Sequence, residues 1–357
     1  MVYRNPSPHL RSVVAYHPSL SLLSNSEFLA TFDIGQAVES FDYHTVVARS
    51  IDRGETWEFE GPLLKDLPPS TTHSVRTSRS ADGSIIGFGG FYRRTFEEDL
   101  VNRQTFGLVP VDLFTVSSTD GGRTWTSPRM VEPALIGPSW EICHSIVETS
   151  DGRWIAPTST WRSWDGNDYP GDRAVALISD NRGESWPKYG ITFDGRHNQL
   201  SYLEQSLVNL DDESLLAVSW VYDQKTGLTQ PSVYSTSRDG GATFTEPRHT
   251  GFDAQTCKVL RLLDGRLLCV YRRNDRAGLW ATLSRLEEGK WVNLSEAPLW
   301  QGAESGMKGI LNSADELSGL QFGHPSIRQI SASEVLILFW CQERCLTNIR
   351  WIKLRLD

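Results

Sequence analysis

Six stretches of the chain share one pattern: an apolar run, a tight turn, then a second apolar run. They are Ser19–Phe32 turning at Asn25, Ser74–Phe91 at Asp82-Gly83, and Ser145–Thr160 at Asp151-Gly152. Then come Ser206–Val221 at Asp211-Asp212, Lys258–Tyr271 at Asp264-Gly265, and Ser326–Cys341 at Ala332-Ser333. Asp-Gly between two apolar runs is a strong hairpin signal, because both residues tolerate the left-handed backbone that a tight turn needs. The pattern predicts six β-hairpins, and no long amphipathic helix interrupts them.

A second pattern is threaded between the hairpins. Ser118-Thr119-Asp120-Gly121-Gly122-Arg123-Thr124-Trp125 reads Ser-x-Asp-x-Gly-x-Thr-Trp. Further copies are Ser50 to Trp57, Ser179 to Trp186 with Asn181 in the Asp place, and Ser237 to Phe244 with Phe for Trp. A worn fifth, Ser284 to Trp291, keeps Ser284, Gly289 and Trp291. The starts lie 68, 61, 58 and 47 residues apart, a spacing that means a repeat architecture. The chemistry is that of a turn: Asp or Asn accepts backbone N–H groups and Gly supplies a positive φ. The motif is therefore structural.

A hairpin plus two more strands makes a four-stranded blade, and six such units make a six-bladed β-propeller. The sequence thus predicts an all-β fold and a single domain over residues 1–357. The last unit has only three strands, 326–331, 335–341 and 347–355. Arg11–Ala15, from the N-terminal segment, is the expected fourth.

Composition narrows the function. Hydrophobic residues at 39% and 13 Trp supply ample core. A net charge of −9 argues against nucleic acid and anionic membranes as partners. No run of 18 apolar residues suggests a transmembrane helix, and Met1 to Arg11 shows no apolar signal-peptide core. Five cysteines without metal spacing read as reduced thiols, so the expected location is cytoplasmic, with no cofactor.

The residues that open the first strand of each blade would line one mouth of the central channel. They are Tyr16-His17-Pro18, Thr72-His73, Cys143-His144, Leu203-Glu204-Gln205, Gln255-Thr256-Cys257 and Gly323-His324-Pro325. Four of the eight histidines fall here, beside Glu204. A repeat-derived packing role accounts for such His-Ser steps. A ring of imidazoles around a carboxylate can also move protons near neutral pH. The His spacing does not match a metal site.

The repeated turn resembles the Asp box, or bacterial neuraminidase repeat, of the sialidase superfamily. That resemblance covers the whole chain for fold. It implies a carbohydrate-active site with three Arg, a Tyr–Glu pair and an acid/base Asp. Asp42 of Glu39-Ser40-Phe41-Asp42-Tyr43-His44 matches the Asp, with Glu39 as rival. Glu204 of Leu203-Glu204-Gln205-Ser206 matches the assisting Glu, and Arg276 of Arg276-Ala277-Gly278-Leu279-Trp280 matches the third Arg. His17, Ser219 and His324 stand where two Arg and the Tyr belong.

The expectation is a glycoside hydrolase on a non-sialic sugar, acidic in one reading. Asp42, Glu204 and His324 would be catalytic, and His17, His73, His144 and Arg276 would bind substrate. A lyase acting on uronate-containing glycans and a non-catalytic sugar-binding propeller are the alternatives. The partner is a small molecule or an oligosaccharide.

Overall fold

The computed structural model describes every residue except 38–39, 69–70, 95–98, 138, 169–171, 211–213, 274, 303–320 and 357. Glu39 and the Asp211-Asp212 turn lie outside the described residues. Among the described residues the fold is all-β, with six antiparallel sheets, the blades of a six-bladed β-propeller. The chain divides into two compact units, residues 1–100 with 111–130 and 321–357, and residues 101–110 with 131–320.

The first unit holds three blades. One is β1 (Val14–Leu22), β2 (Phe28–Gly35), β3 (His44–Ser50) and β4 (Glu58–Pro62). The next is β5 (His73–Arg79), β6 (Ile85–Tyr92), β7 (Val111–Ser118) and β8 (Arg129–Met130). Leu29, Val47, Val75, Ile85 and Phe114 from these two sheets share one buried cluster.

The second unit also holds three. Its first blade contains β9 (Ser139–Glu141), β10 (Val147–Glu148), β11 (Trp154–Trp161), β12 (Arg173–Ser179) and β13 (Lys188–Asp194). There the first strand is split: β9 and β10 both pair with β11, on either side of residues 142–146. The others are β14 (Leu200–Asn209), β15 (Leu215–Asp223), β16 (Leu228–Ser237) and β17 (Arg248–His249), then β18 (Gln255–Arg261), β19 (Leu267–Arg272), β20 (Leu279–Glu287) and β21 (Lys290–Trp300).

The remaining blade of the first unit is β22 (Phe322–Ser331), β23 (Glu334–Glu343) and β24 (Leu346–Arg355). A short N-terminal bridge lies on its outer edge: Ile349 N–H donates to Tyr3 O at 3.0 Å and Val2 N–H to Ile349 O at 2.8 Å. Arg11–Ala15 does not take that place. Ala15 pairs with Ile34 inside β1, because this apolar run is the inner strand of its own blade.

Each repeated turn joins the third and fourth strands of a blade. In the first copy Ser50 Oγ donates to Asp52 Oδ1 at 2.8 Å and accepts Gly54 N–H at 2.8 Å. Asp52 also accepts Thr56 N–H and hydroxyl at 2.9 and 2.6 Å. These bonds from Thr56 hold the carboxyl at about 2, the acid side of its usual range. The copies at Ser118, Ser179 and Ser237 repeat the geometry. Glycine is required at Gly122: its φ is +81°, and a Cβ would meet Leu29 at 2.8 Å. In the worn copy the acceptor comes from further along, since Asn293 Oδ1 takes both the Ser284 hydroxyl and the Trp291 indole N–H.

Candidate active site

Four inner strands carry the same distortion at the same place. In β1, His17 and Pro18 together face Phe32; in β22, His324 and Pro325 together face Phe339. In β14, Glu204 and Gln205 face Ser219, and in β18, Thr256 and Cys257 face Tyr271. Two residues opposite one is a β-bulge, which bends a strand and re-aims a side chain. The first residue of each bulge is left-handed although none is Gly: φ is +50° at His17, +49° at Glu204, +51° at Thr256 and +44° at His324. Such backbone costs on the order of 1–3 kcal/mol per residue and persists where packing dictates it, often at functional sites. Proline is tolerated at a bulge because no ladder N–H is needed there.

In the second unit the bulge brings two carboxylates together. Glu204 N–H donates to Glu141 Oε2 at 2.9 Å. Glu204 Oε2 accepts the Trp220 indole N–H at 2.7 Å and Thr256 N–H at 3.1 Å. Burial, then the neighbouring Glu204 carboxylate, push Glu141 from 4.5 up to about 8, against the smaller opposing pulls of the Glu204 N–H and of Lys258. Both side chains remain partly exposed. The surroundings are cationic. Lys258 is buried and donates to Cys143 O. Arg272 is buried and donates to Gln255 Oε1 at 2.8 Å; burial lowers it to about 10, against the charge of Glu204.

In the first unit the centre is Asp33, fully buried on β2. Oδ2 accepts Arg76 Nη1 at 2.9 Å, Ser74 Oγ at 2.8 Å and Tyr43 Oη at 3.0 Å, and Oδ1 accepts Thr45 Oγ1 at 2.6 Å. Burial pushes this carboxyl up, but Arg76, then His17, outweigh it and hold the group well below the usual carboxylate range. His17 Nδ1 lies 2.7 Å from Tyr43 Oη, and the His324 ring packs edge-on against His17 with centroids 4.7 Å apart.

The remaining sequence candidates are placed as follows. Asp42 caps a turn, accepting Gln36 N–H at 3.1 Å, and lines a cavity of about 500 Å³ with Arg11, Gln36 and His44. His73 is buried, its Nδ1 2.9 Å from Thr71 O, and burial lowers its pKa. His144 Nδ1 contacts Ser145 O at 2.8 Å, within the gap between β9 and β10. Arg276 is exposed and lies over the Trp280 ring, 5.7 Å from its centroid. Ser219, where an Arg was expected, is buried with its hydroxyl on Leu203 O at 2.9 Å. Among the described residues no three His, Cys, Asp or Glu side chains converge as a metal site requires.

Sequence reasoning missed Glu141, because the first strand of its blade was taken to begin at Ser145. The split of that strand puts Glu141 ahead of the break. It also missed Asp33 and Arg76, whose only signal was a charge inside an otherwise apolar or uncharged strand.

Solved structures share this fold. A protein of unknown function from Dyadobacter fermentans matches with a TM-score of 0.75 at 19% identity, over 99% of this chain and 97% of that one. A Hadza microbial sialidase gives 0.69 at 17% identity, over 99% of this chain and 68% of its own. An α-L-arabinanase from Penicillium chrysogenum, solved with arabinobiose, gives 0.66 at 13% identity, over 95% and 93%. No curated protein matches the sequence. The fold is thus shared with glycosidases. The model of the BNR repeat-like domain matches residues 101–334, so the chain belongs to the BNR repeat-like family and has a sialidase-like propeller fold.

Proposed function

We propose that the protein is a glycoside hydrolase acting on a non-sialic sugar, with Glu141 and Glu204 as its carboxylate pair. The observation that carries this reading is the Glu204 N–H on Glu141 Oε2 at 2.9 Å, which sets the two residues side by side, where burial and the Glu204 carboxylate raise the Glu141 pKa. Glycosidases divide acid and base roles between two carboxyls whose surroundings separate them. Glu141 would protonate the leaving oxygen. Glu204, fixed by Trp220 and Thr256, would act as base or nucleophile. This moves the acid role from Asp42, a turn cap, to Glu141. Lys258 and Arg272 add positive charge, which suits an acidic sugar.

The test is a panel of neutral and uronate-containing oligosaccharides, arabino-oligosaccharides among them, read for new reducing ends and for ultraviolet absorbance. Glu204→Gln and Glu141→Gln should each lower hydrolysis by about 10²–10⁴-fold, the usual worth of acid–base catalysis. Unsaturated, ultraviolet-absorbing products would replace hydrolysis with elimination. Undiminished hydrolysis by Glu204→Gln would overturn the assignment.

A further inference from the structure

Asp42 and the segment that begins at Arg11 take no part in the Glu141–Glu204 pair, yet they meet at one cavity of about 500 Å³ within a single compact unit. Each side of it is held by bonds of its own. Buried Asn5 organises the N-terminal side: its Oδ1 accepts Ser7 N–H at 3.0 Å and its Nδ2 donates to Arg11 O at 2.6 Å. Ser12 Oγ then donates to Gln36 O at 2.9 Å, tying that segment to the chain just past β2. On the other side Asp42 Oδ1 accepts Gln36 N–H at 3.1 Å, and His44 Nδ1 donates to Asp42 O at 2.6 Å. Gly35 lets the turn close, since a Cβ there would run into Ser40 Oγ.

The lining carries charge that the chain itself does not satisfy. Arg11 is exposed, and its guanidinium has no hydrogen-bond or ion-pair partner among the described residues. Asp42 is half-buried; Gln36 N–H uses Oδ1, and Oδ2 has no partner among the described residues. Arg11 and Asp42 do not pair with each other, so the cavity presents a cation and an acceptor oxygen at separate places. Leu10, Val13 and Ile34 add apolar surface. We propose that this cavity is a binding site for an anionic sugar, a uronate, and that it shares no residue with the carboxylate pair. Arg11 takes the sugar's carboxylate, because a guanidinium and a carboxylate form strong charge-assisted bonds. Asp42 Oδ2 accepts one of the sugar's hydroxyls. The Asp42 charge repels multiply charged anions such as phosphate, which have no O–H to spare for it. The apolar lining suits the C–H face of a ring. The volume lies within the range of about 300–1,000 Å³ typical of small-molecule sites, more than a free amino acid fills. The site holds its ligand, and Asp42 has no acid or base role in it.

The experiment reads the cavity directly. In the full chain with ¹⁵N-labelled histidine, the NMR signal of His44 reports on the cavity it lines, and His44→Gln identifies that signal. Galacturonate and trigalacturonate are titrated in, up to about 10 mM, where even weak sites fill. The His44 signal should move with at least one of them: a response to the monomer means a site for a single ring, and a response to the trimer alone means a site for a chain. Galactose and the methyl ester of galacturonate, which lack the charge, should bind about 10-fold or more weakly, as should galacturonate to Arg11→Gln. Arg11 is exposed, and the ester comparison needs no variant at all. Glu204→Gln, which lowers hydrolysis under the proposed function, should leave the His44 response as it is, so the two readings fail separately. An unmoved His44 signal, an equal response to galactose, to the ester or to free alanine, or undiminished affinity in Arg11→Gln overturns the proposal. So does loss of the response in Glu204→Gln.

Discussion

The main-chain N–H of Glu204 donates to the side-chain carboxylate of Glu141 at 2.9 Å. This bond exists because the β14 bulge turns Glu204 out of register, so its N–H points across to the neighbouring blade rather than into β15. The same bulge sets the Glu204 side chain on Trp220 and Thr256. One backbone distortion thus places two carboxyls side by side.

Their closeness makes stability depend on pH. Glu141 is raised in the folded state from 4.5 to about 8, so the folded chain binds its proton more tightly than the unfolded chain. The contribution is fully present below the unfolded value and is lost as pH rises through about 8. Asp33 acts in the opposite sense: its folded value is depressed, so its contribution is present above the usual carboxylate range and lost as pH falls. Denaturant midpoints between about pH 5 and pH 9 should therefore decline for the parent and decline less for Glu141→Gln. Parallel curves would show that Glu141 is not raised.

The left-handed φ of +49° at Glu204 reverses a familiar order. In most strands Gly is the weaker choice, but here a Cβ costs about 1–2 kcal/mol. Glu204→Gly should be more stable than Glu204→Ala by roughly 1 kcal/mol, since both lack the same carboxylate. Calorimetry of the two variants decides, and an equal or inverted order would mean that the bulge relaxes.

The N-terminal bridge also holds by packing. The Tyr3 ring lies 5.2 Å from that of Phe32 and 5.3 Å from that of Phe59, and Val2 is buried. Removing residues 1–5 should lower the melting temperature by several degrees, because burial of two such side chains contributes about 1.5–3 kcal/mol each. An unchanged melting temperature would show the bridge to be dispensable.

Sialosides should be poor substrates. His17, Ser219 and His324 stand where two Arg and a Tyr would be needed, and Ser219 is already bonded to the backbone. Each lost charged hydrogen bond to a carboxylate costs about 1.5–3 kcal/mol. A fluorogenic sialic acid glycoside should turn over at well under about 1 per second, and ordinary enzymatic turnover would refute this.

The sequence by itself determined the blades. Apolar runs, Asp-Gly turns and four Ser-x-Asp or Ser-x-Asn turns are local signals, written in residues that make their hydrogen bonds within a few positions of one another. It also marked His17, Glu204 and His324 as special, because repeats put them in equivalent places. Only the tertiary structure decided what those residues meet. Glu141 joins Glu204 across 63 positions, and Asp33 meets Arg76 across 43. The bulges that aim them leave no mark in composition, since their left-handed residues are His, Glu and Thr rather than Gly. The physical reason is range. A turn satisfies its own backbone, whereas a buried carboxylate's protonation is set by whichever charges and N–H groups the packed blades bring to it.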